Sequence, residues 1–301
     1  MDIEKLSVSF VIRARNVEND LPRCIDSILT QNNHTYNKLE IIIVDNESTD
    51  STLDIAKSYA AKIITITQNE FTWGKALNRG IEQARGDVVI LISADVNAEN
   101  DMWLNEMLAP FDDKKIAAVY ARQIPRENAP IDERARLSKT FPDQSIIFEE
   151  KSSRIIASNA CAAIRKKVWE DVHYDEVIEG GEEIAWTEEI QQQGYNYVYN
   201  SKARVYHSHR ETASRFAYRH WELHRKNVRV GKIKPGIFYV LHATASITKR
   251  RLKNIFNYKA PLKIKLEGFI SLFPEIIFFM LIAILEGSGL SERKVRRWMW
   301  Q

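Results

Sequence analysis

"GDVVILISADVNAENDMW" (Gly86–Trp103) decides how the rest of the chain is read. Five of the six residues from Val88 to Ser93 are apolar, without the alternation of a half-exposed strand. A run of that kind fits a strand covered on both faces, as in a parallel sheet. It leads into Ser93-Ala94-Asp95, a single carboxylate at the mouth of a buried strand, and then into a polar turn.

The stretches before it follow the same plan. "VSFVIRAR" (Val8–Arg15) is rich in β-formers. "NDLPRCIDSILTQ" sets Leu21, Ile25, Ile28 and Leu29 on one helical face. "LEIIIVDNESTD" is a second unbroken apolar run, "STLDIAKSYA" opens with helix-start residues, and "KIITIT" reads as a third strand. "GKALNRGIEQARG" predicts a helix closed by Gly86. This β-α-β-α-β-α-β alternation predicts an α/β fold with a doubly wound parallel sheet. Ligands of such sheets bind at the carboxyl ends of the strands. Polar clusters stand at three of those ends: "RARN", "VDNESTD" and "SADVN". One Asp after a strand is weak evidence, because Asp caps helices routinely. Three such ends in the first hundred residues point to a site.

From about Ala117 short strands and helices mix. "AVYARQIP" reads as a strand running into a loop. "RIIASNACAAIRKKVWEDV" reads as strand, strand, helix, and "GGEEIAWTEEIQQQGYNYVYNSKARVYHSH" as loop, helix, strand, strand. After Glu211 the pattern is helical and basic, with Pro235 and Pro261 as breaks. The expected division is therefore an α/β domain over 1–210, in halves 1–116 and 117–210, followed by a helical region over 211–301.

Composition sets bounds on partners. The 301 residues are 45% hydrophobic and 28% charged, which is globular, and the net charge is only +3. Between Glu222 and Glu267, however, there is no acid, while Lys and Arg occur twelve times. That asymmetry suggests an anionic partner, such as lipid head groups or nucleic acid, against the plainer reading of a solvated helical face. In "LEGFISLFPEIIFFMLIAILEGSG" only Ile276 to Leu285 is uninterrupted, too short to span a bilayer. It is either a buried helix, with a homodimer contact as one use of it, or a helix lying in a membrane interface. Cys24 and Cys161 have no CxxC or metal spacing and read as core residues of a cytosolic protein. "MDIEKLSVSF" carries no secretory signal.

"VSFVIRARNVENDLPRCIDSILTQ", "LEIIIVDNESTDST", "WGKALNRGIEQARGDVVILISAD" and "GEEIAW…GYNYVYNSKARVYHSH" follow one another in the order found in inverting family 2 glycosyltransferases, which have the GT-A fold. Trp103-Leu104, "ARQIPRENAP" and "ASNACAAIRK" resemble its rhamnosyltransferase-like subgroup. The resemblance covers roughly residues 7 to 210. It implies an enzyme that takes a UDP- or dTDP-linked sugar to a saccharide or lipid-linked saccharide in bacterial surface-polysaccharide assembly, at the inner face of the cell membrane, with no nucleic-acid partner. It also implies a metal, Mg²⁺ or Mn²⁺.

The site residues are implied in the same way. Asp95 corresponds to the last acid of the family's DxD-like element, which binds the metal. Ser93 and Ala94 stand where the family has the rest of that element. One carboxylate can still hold the ion if the diphosphate and water supply other oxygens. His207 corresponds to a histidine that approaches the metal or diphosphate. Asp45 and Asn46 correspond to the base-binding element, and Arg13, Arg15 and Asn16 to the base and ribose loop. Two arginines suit a diphosphate, though they could equally pair with Asp45 or Asp50. Lys75, Asn78 and Arg79 stand at a helix start suited to phosphate, or form an ordinary solvent face. Glu183 aligns with the general base, Glu182 remains open for that role, and Trp186 either stacks on a sugar or packs. Two other classes stay open. A sugar nucleotidyltransferase usually has a Gly-rich loop after the first strand, which "RARNVEND" lacks. A non-catalytic GT-A binding protein would account for the reduced "SAD" element.

Overall fold

The computed structural model describes residues 6–31, 36–127, 129–149, 155–178, 180–208 and 237–287. The readings placed on His209, Arg210, the 211–236 helix with Pro235, and "SERKVRRWMW" lie outside the described residues. The chain divides into two compact units, Met1–Arg126 with Ser138–His207, and Glu127–Leu137 with Ser208–Gln301.

The first unit carries a nine-stranded sheet. Strands β1 (Leu6–Ala14), β2 (Tyr36–Asp45), β3 (Lys62–Thr65) and β4 (Val88–Ser93) pair in parallel in the order β3-β2-β1-β4. Helices α1 (Leu21–Leu29), α2 (Thr52–Ser58) and α3 (Trp73–Glu82) make the crossovers. Strand residues point alternately to the two faces. Phe10, Ile12, Ile43, Ile90 and Ile92 join one buried cluster with Cys24, Ile25 and Ile28 of α1 and Ala56 of α2. Val11 and Val44 point to the other face, where α3 packs so close that a Cβ on Gly80 would stand 2.3 Å from Val11. Both faces are covered, which is why "VVILIS" shows no alternation.

Beyond β4 the sheet becomes mixed. After the two-residue β5 (Asn97–Ala98) and α4 (Trp103–Leu108) come β6 (Ile116–Ile124), α5 (Ile131–Thr140) and β7 (Ile146–Phe148). Strand β8 (Cys161–Arg165) runs antiparallel between β4 and β6. It is followed by α6 (Lys166–Asp171), α7 (Glu182–Gln192) and β9 (Asn196–Tyr206), with β9 parallel to β6.

Three sequence expectations are corrected here. Helix α3 ends at Glu82 with Gln83 as its C-cap, not at Gly86. Gly86 instead allows a close approach, since a Cβ there would lie 2.6 Å from the Ser9 nitrogen. Only one strand, β8, forms in "RIIASNACAAIR", because Ser158 and Asn159 turn their side chains to long-range polar partners. "YNYVYNSKARVYHSH" is one strand, not two. Its register against β6 jumps from Ala121↔Asn200 to Arg122↔Arg204, so the "SKA" residues form a bulge within a continuous β9. Bulges bend a strand and re-aim the side chains beyond them. Here the re-aimed end of β9 leads directly to His207.

In the second unit, α8 (Ile237–Asn257) and α9 (Leu262–Gly287) are separated at Pro261. Ile131, Ile255 and Leu272 form its buried cluster, and Arg251 pairs with Asp132 at 2.6 Å. Among the described residues no helix is long and apolar enough to cross a membrane.

Candidate active site

The carboxyl ends of β1, β2 and β4 lie side by side, so three loops far apart in sequence meet at one edge. Asn16 and Glu47 take left-handed backbone conformations, φ +51° and +53°. The Asn16 amide oxygen accepts from the Thr49 nitrogen at 2.8 Å, and the Ser48 hydroxyl accepts from the Asn16 nitrogen at 3.0 Å. Glu18 and Asp50 continue the lacing through the backbone nitrogens of Ser51, Glu18 and Thr52. Desolvation opposes, but hydrogen bonds from the Thr52 side chain, then its backbone nitrogen, and from the Glu18 nitrogen hold the Asp50 carboxyl below its ordinary range. Non-glycine residues in that conformation persist only where the surroundings impose it, and they cluster at binding sites.

Asp45 is fully buried at the end of β2. One carboxylate oxygen accepts from the Ser48 nitrogen at 3.1 Å, while Oδ1 is buried with no hydrogen-bond partner among the described residues. A buried acceptor left unpaired costs about 1–3 kcal/mol, so this atom calls for a donor from a ligand. Asn46 spends its amide NH₂ on the Ile66 carbonyl at 3.0 Å, tying β2 to the residue after β3. Arg15 is exposed on the same edge.

The second cluster surrounds Asp95. His207 Nε2 lies 3.5 Å from Asp95 Oδ2. The other ring nitrogen, Nδ1, stands 2.8 Å from Gln123 Oε1, and the Gln123 NH₂ donates to the Ser158 hydroxyl. With Gln123 oriented this way, Nδ1 donates to its amide oxygen, which leaves Nε2 facing Asp95. Arg126 donates to the Asp95 carbonyl at 2.6 Å and to the Asn97 amide oxygen at 2.7 Å, fixing the turn after β4. Two ligands on one octahedral Mg²⁺ or Mn²⁺ stand about 3 Å apart, so the pair fits a shared ion. Among the described residues no group of three or more His, Cys, Asp or Glu could hold a metal.

The third cluster is built on α7. Gly180 and Gly181, at φ +113° and +83°, lead into Glu182 and Glu183. Glu182 is 5% exposed, and its Oε1 accepts from Asn159 Nδ2 at 3.4 Å with Arg13 Nη1 at 3.9 Å. The Asn159 amide oxygen accepts from the Tyr174 hydroxyl at 3.2 Å. Glu183 is half-buried, and its carboxyl is pushed up, chiefly by burial and further by Glu182, with Arg13 opposing. A raised carboxylate within reach of solvent suits a general base. Glu182 is already committed to other side chains.

Several sequence-selected residues have other duties. Trp186 is 2% exposed, donates its indole N–H to the Val172 carbonyl and stacks on Tyr174, so it packs and does not meet a sugar. Asn78 accepts from the Trp169 indole and the Tyr174 nitrogen, and donates to the Tyr174 carbonyl and Glu176. That set uses the full hydrogen-bonding capacity of its side chain. Arg79 faces Glu70 at 3.6 Å on the surface. The N-cap of α3 is Thr72, whose oxygen accepts from the Lys75 nitrogen, one of the donors at the helix start. Arg13 is not paired with Asp45 or Asp50. It donates to Ser93 Oγ at 3.3 Å and to the Asn159 carbonyl at 3.0 Å, and it lies under the Trp73 ring at 4.8 Å. Ala94 is buried and contributes backbone only. Gln123, Arg126, Asn159 and Tyr174 were not picked out as site residues, although "ARQIPR" and "ASN" contain three of them.

The family model for glycosyl transferase family 2 matches residues 9–172, over half of the chain, and the chain belongs to this family. It is 32% identical over 182 residues to the O-antigen chain rhamnosyltransferase WbaN of Salmonella anatum, covering 58% of this chain and 58% of that protein. It is 26% identical over 217 residues to RfbN, an O-antigen chain rhamnosyltransferase of Salmonella typhimurium, covering 69% and 68%. The chain thus matches little more than half the length of WbaN. Among solved structures, residues 1–349 of S. aureus TarS align with a TM-score of 0.54 at 16% identity, covering 95% of this chain and 93% of that one. The mannosyltransferase PcManGT from Pyrobaculum calidifontis, in complex with GDP-Man and Mn²⁺, aligns at 0.52 and 17%, covering 98% and 83%. These likenesses show the GT-A fold.

Proposed function

We propose that the protein is an inverting glycosyltransferase that moves a sugar from a UDP- or dTDP-linked donor to a hydroxyl of a saccharide acceptor, lipid-linked, in bacterial surface-polysaccharide synthesis. The observation that carries it is the approach of Asp95 Oδ2 and His207 Nε2 to 3.5 Å at the carboxyl edge of the sheet. Asp95 and His207 would hold the Mg²⁺ or Mn²⁺ that offsets charge on the departing diphosphate. The unpartnered Asp45 Oδ1 would accept from the base, and the loop of Asn16 and Arg15 would border the ribose. Glu183 would take the proton from the acceptor hydroxyl as its oxygen attacks the anomeric carbon on the face opposite the leaving group, which inverts that carbon. The rhamnosyltransferase names of the relatives favour a deoxyhexose from dTDP.

The test is a thermal-shift panel of UDP, dTDP and GDP and their sugars with and without Mn²⁺, followed by transfer assays with the best donor. Stabilisation by one nucleoside diphosphate that requires Mn²⁺ is expected. No shift with any of them would overturn the reading.

The same proposal sets the enzyme at an anionic membrane surface, where a lipid-linked acceptor would be held. On α9, Leu262, Leu266, Ile270, Phe273, Ile277 and Met280 are each more than half exposed. Their spacing by three and four residues makes one apolar stripe. Lys259 and Lys263 are exposed at its start. Flotation of the full chain with phosphatidylglycerol vesicles should show binding that weakens with salt. A salt-independent dimer with no vesicle binding would assign the stripe to a second copy.

A further inference from the structure

Gly180 and Gly181 at the entry to α7 both have positive φ, and among the described residues nothing lies within 4 Å of where a Cβ on either would stand. The helix has no side-chain N-cap bond. The first residue of α7 is instead anchored by the buried Glu182 carboxylate, through Asn159 and Arg13. Arg13 is well placed to hold it. At the penultimate position of β1, in register with Ser93, its guanidinium reaches the end of β4, the carbonyl of Asn159 and the first turn of α7. The Trp73 ring covers it at 4.8 Å, and its side chain is 11% exposed.

We propose that Arg13 is a positioning residue for the catalytic base: by holding Glu182 it fixes the first turn of α7 and so the place of the Glu183 carboxylate. This rests on Glu183 being the base. It departs from the sequence reading of Arg13 as a diphosphate ligand, since its polar contacts are to Ser93, Asn159 and Glu182. The Glu183 carboxyl is acted on by Glu182 on its own helix and by Arg13 from β1, and it acts in turn on the buried hydroxyls of Tyr174 and Tyr120. Glu182 and Arg13 act on the Glu183 carboxyl in opposite senses. Substituting each in turn therefore yields shifts of opposite sign, which a purely structural role does not.

The experiment is a carbon-13 NMR titration of glutamate carboxyls in the full chain, with Glu183→Gln assigning the resonance. In Arg13→Gln the Glu183 midpoint should rise, a gain in proton affinity of roughly threefold or more. In Glu182→Gln it should fall. Arg13→Lys should return the midpoint toward the wild-type value, because the charge is kept. In parallel, UDP and dTDP affinities with Mn²⁺, by calorimetry, should change less than about twofold in Arg13→Gln, since its contacts lie within the protein. An unmoved midpoint in both substitutions overturns the proposal, as does a tenfold loss of nucleotide affinity with no titration shift, which would make Arg13 a donor ligand. If Arg13→Gln does not fold, the fall in Glu182→Gln and the behaviour of Arg13→Lys still decide. Full transfer activity in Glu183→Gln would overturn the base assignment, and the NMR result would then stand apart from it.

Discussion

The two sides of the site are held together differently. On the nucleotide side, loops after adjacent strands lace to one another: Asn16 to Ser48 and Thr49, Glu18 to Ser51, Asp50 to Glu18 and Thr52, Glu47 to Gln68. In every one of these bonds a side-chain oxygen accepts from a backbone nitrogen. On the acceptor side, side chains from remote segments hold one another: Arg13 with Asn159 and Glu182, Gln123 with His207, Asn78 with Trp169 and Tyr174. The first arrangement fixes loop shape through short polar side chains on neighbouring loops, whereas the second depends on side chains brought together by packing.

The largest effect should come from the residue that joins the two sides. Asp95→Asn should lower Mn²⁺-dependent turnover by on the order of 10³-fold while leaving the melting temperature near wild type. Full activity with Mn²⁺ would remove Asp95 from the metal. Glu183→Gln should reduce turnover by about 10²-fold with nucleotide affinity unchanged. Because burial raises this carboxyl, the base is ionised above that raised value. Turnover should therefore fall, as pH drops, at a higher pH than an ordinary carboxylate allows. An equal loss in Glu182→Gln, with Glu183→Gln active, would move the base by one residue.

Asn78→Leu tests whether the remote network is structural. It strands the Trp169 indole N–H and the Tyr174 nitrogen, and should destabilise the fold by about 1–3 kcal/mol in urea denaturation. Weakened nucleotide binding with full stability would return Asn78 to the donor site. Arg79→Ala should change stability by less than about 0.5 kcal/mol and leave nucleotide affinity alone, because its pair with Glu70 is exposed. A tenfold weaker nucleotide affinity would move the boundary between the two sides to α3.

The two sides were unequally legible. The β-α alternation up to Ser93 is a matter of apolar period and turn chemistry, and both are local. The carboxylates at the strand ends followed from it, since parallel strands place their carboxyl ends together. Gln123 and Asn159 stood in motifs already singled out, but no local pattern says that one orients His207 and the other holds Glu182. "YNYVYNSKARVYHSH" read as two strands, whereas pairing along β6 joins them into one with a bulge.

The sequence by itself determined the class of fold and set Asp45 and Asp95 at the carboxyl ends of strands, because covered strands and strand-end acids are written in consecutive residues. Only the tertiary structure decided between competing uses of one residue type. Trp186 and Asn78 became packing and scaffold, and Glu182 was taken up by Asn159 and Arg13. The Arg13 guanidinium was drawn into the protein. Such choices depend on burial and on hydrogen-bond partners up to about 150 residues away, and desolvated polar groups take whichever partner the packed chain presents.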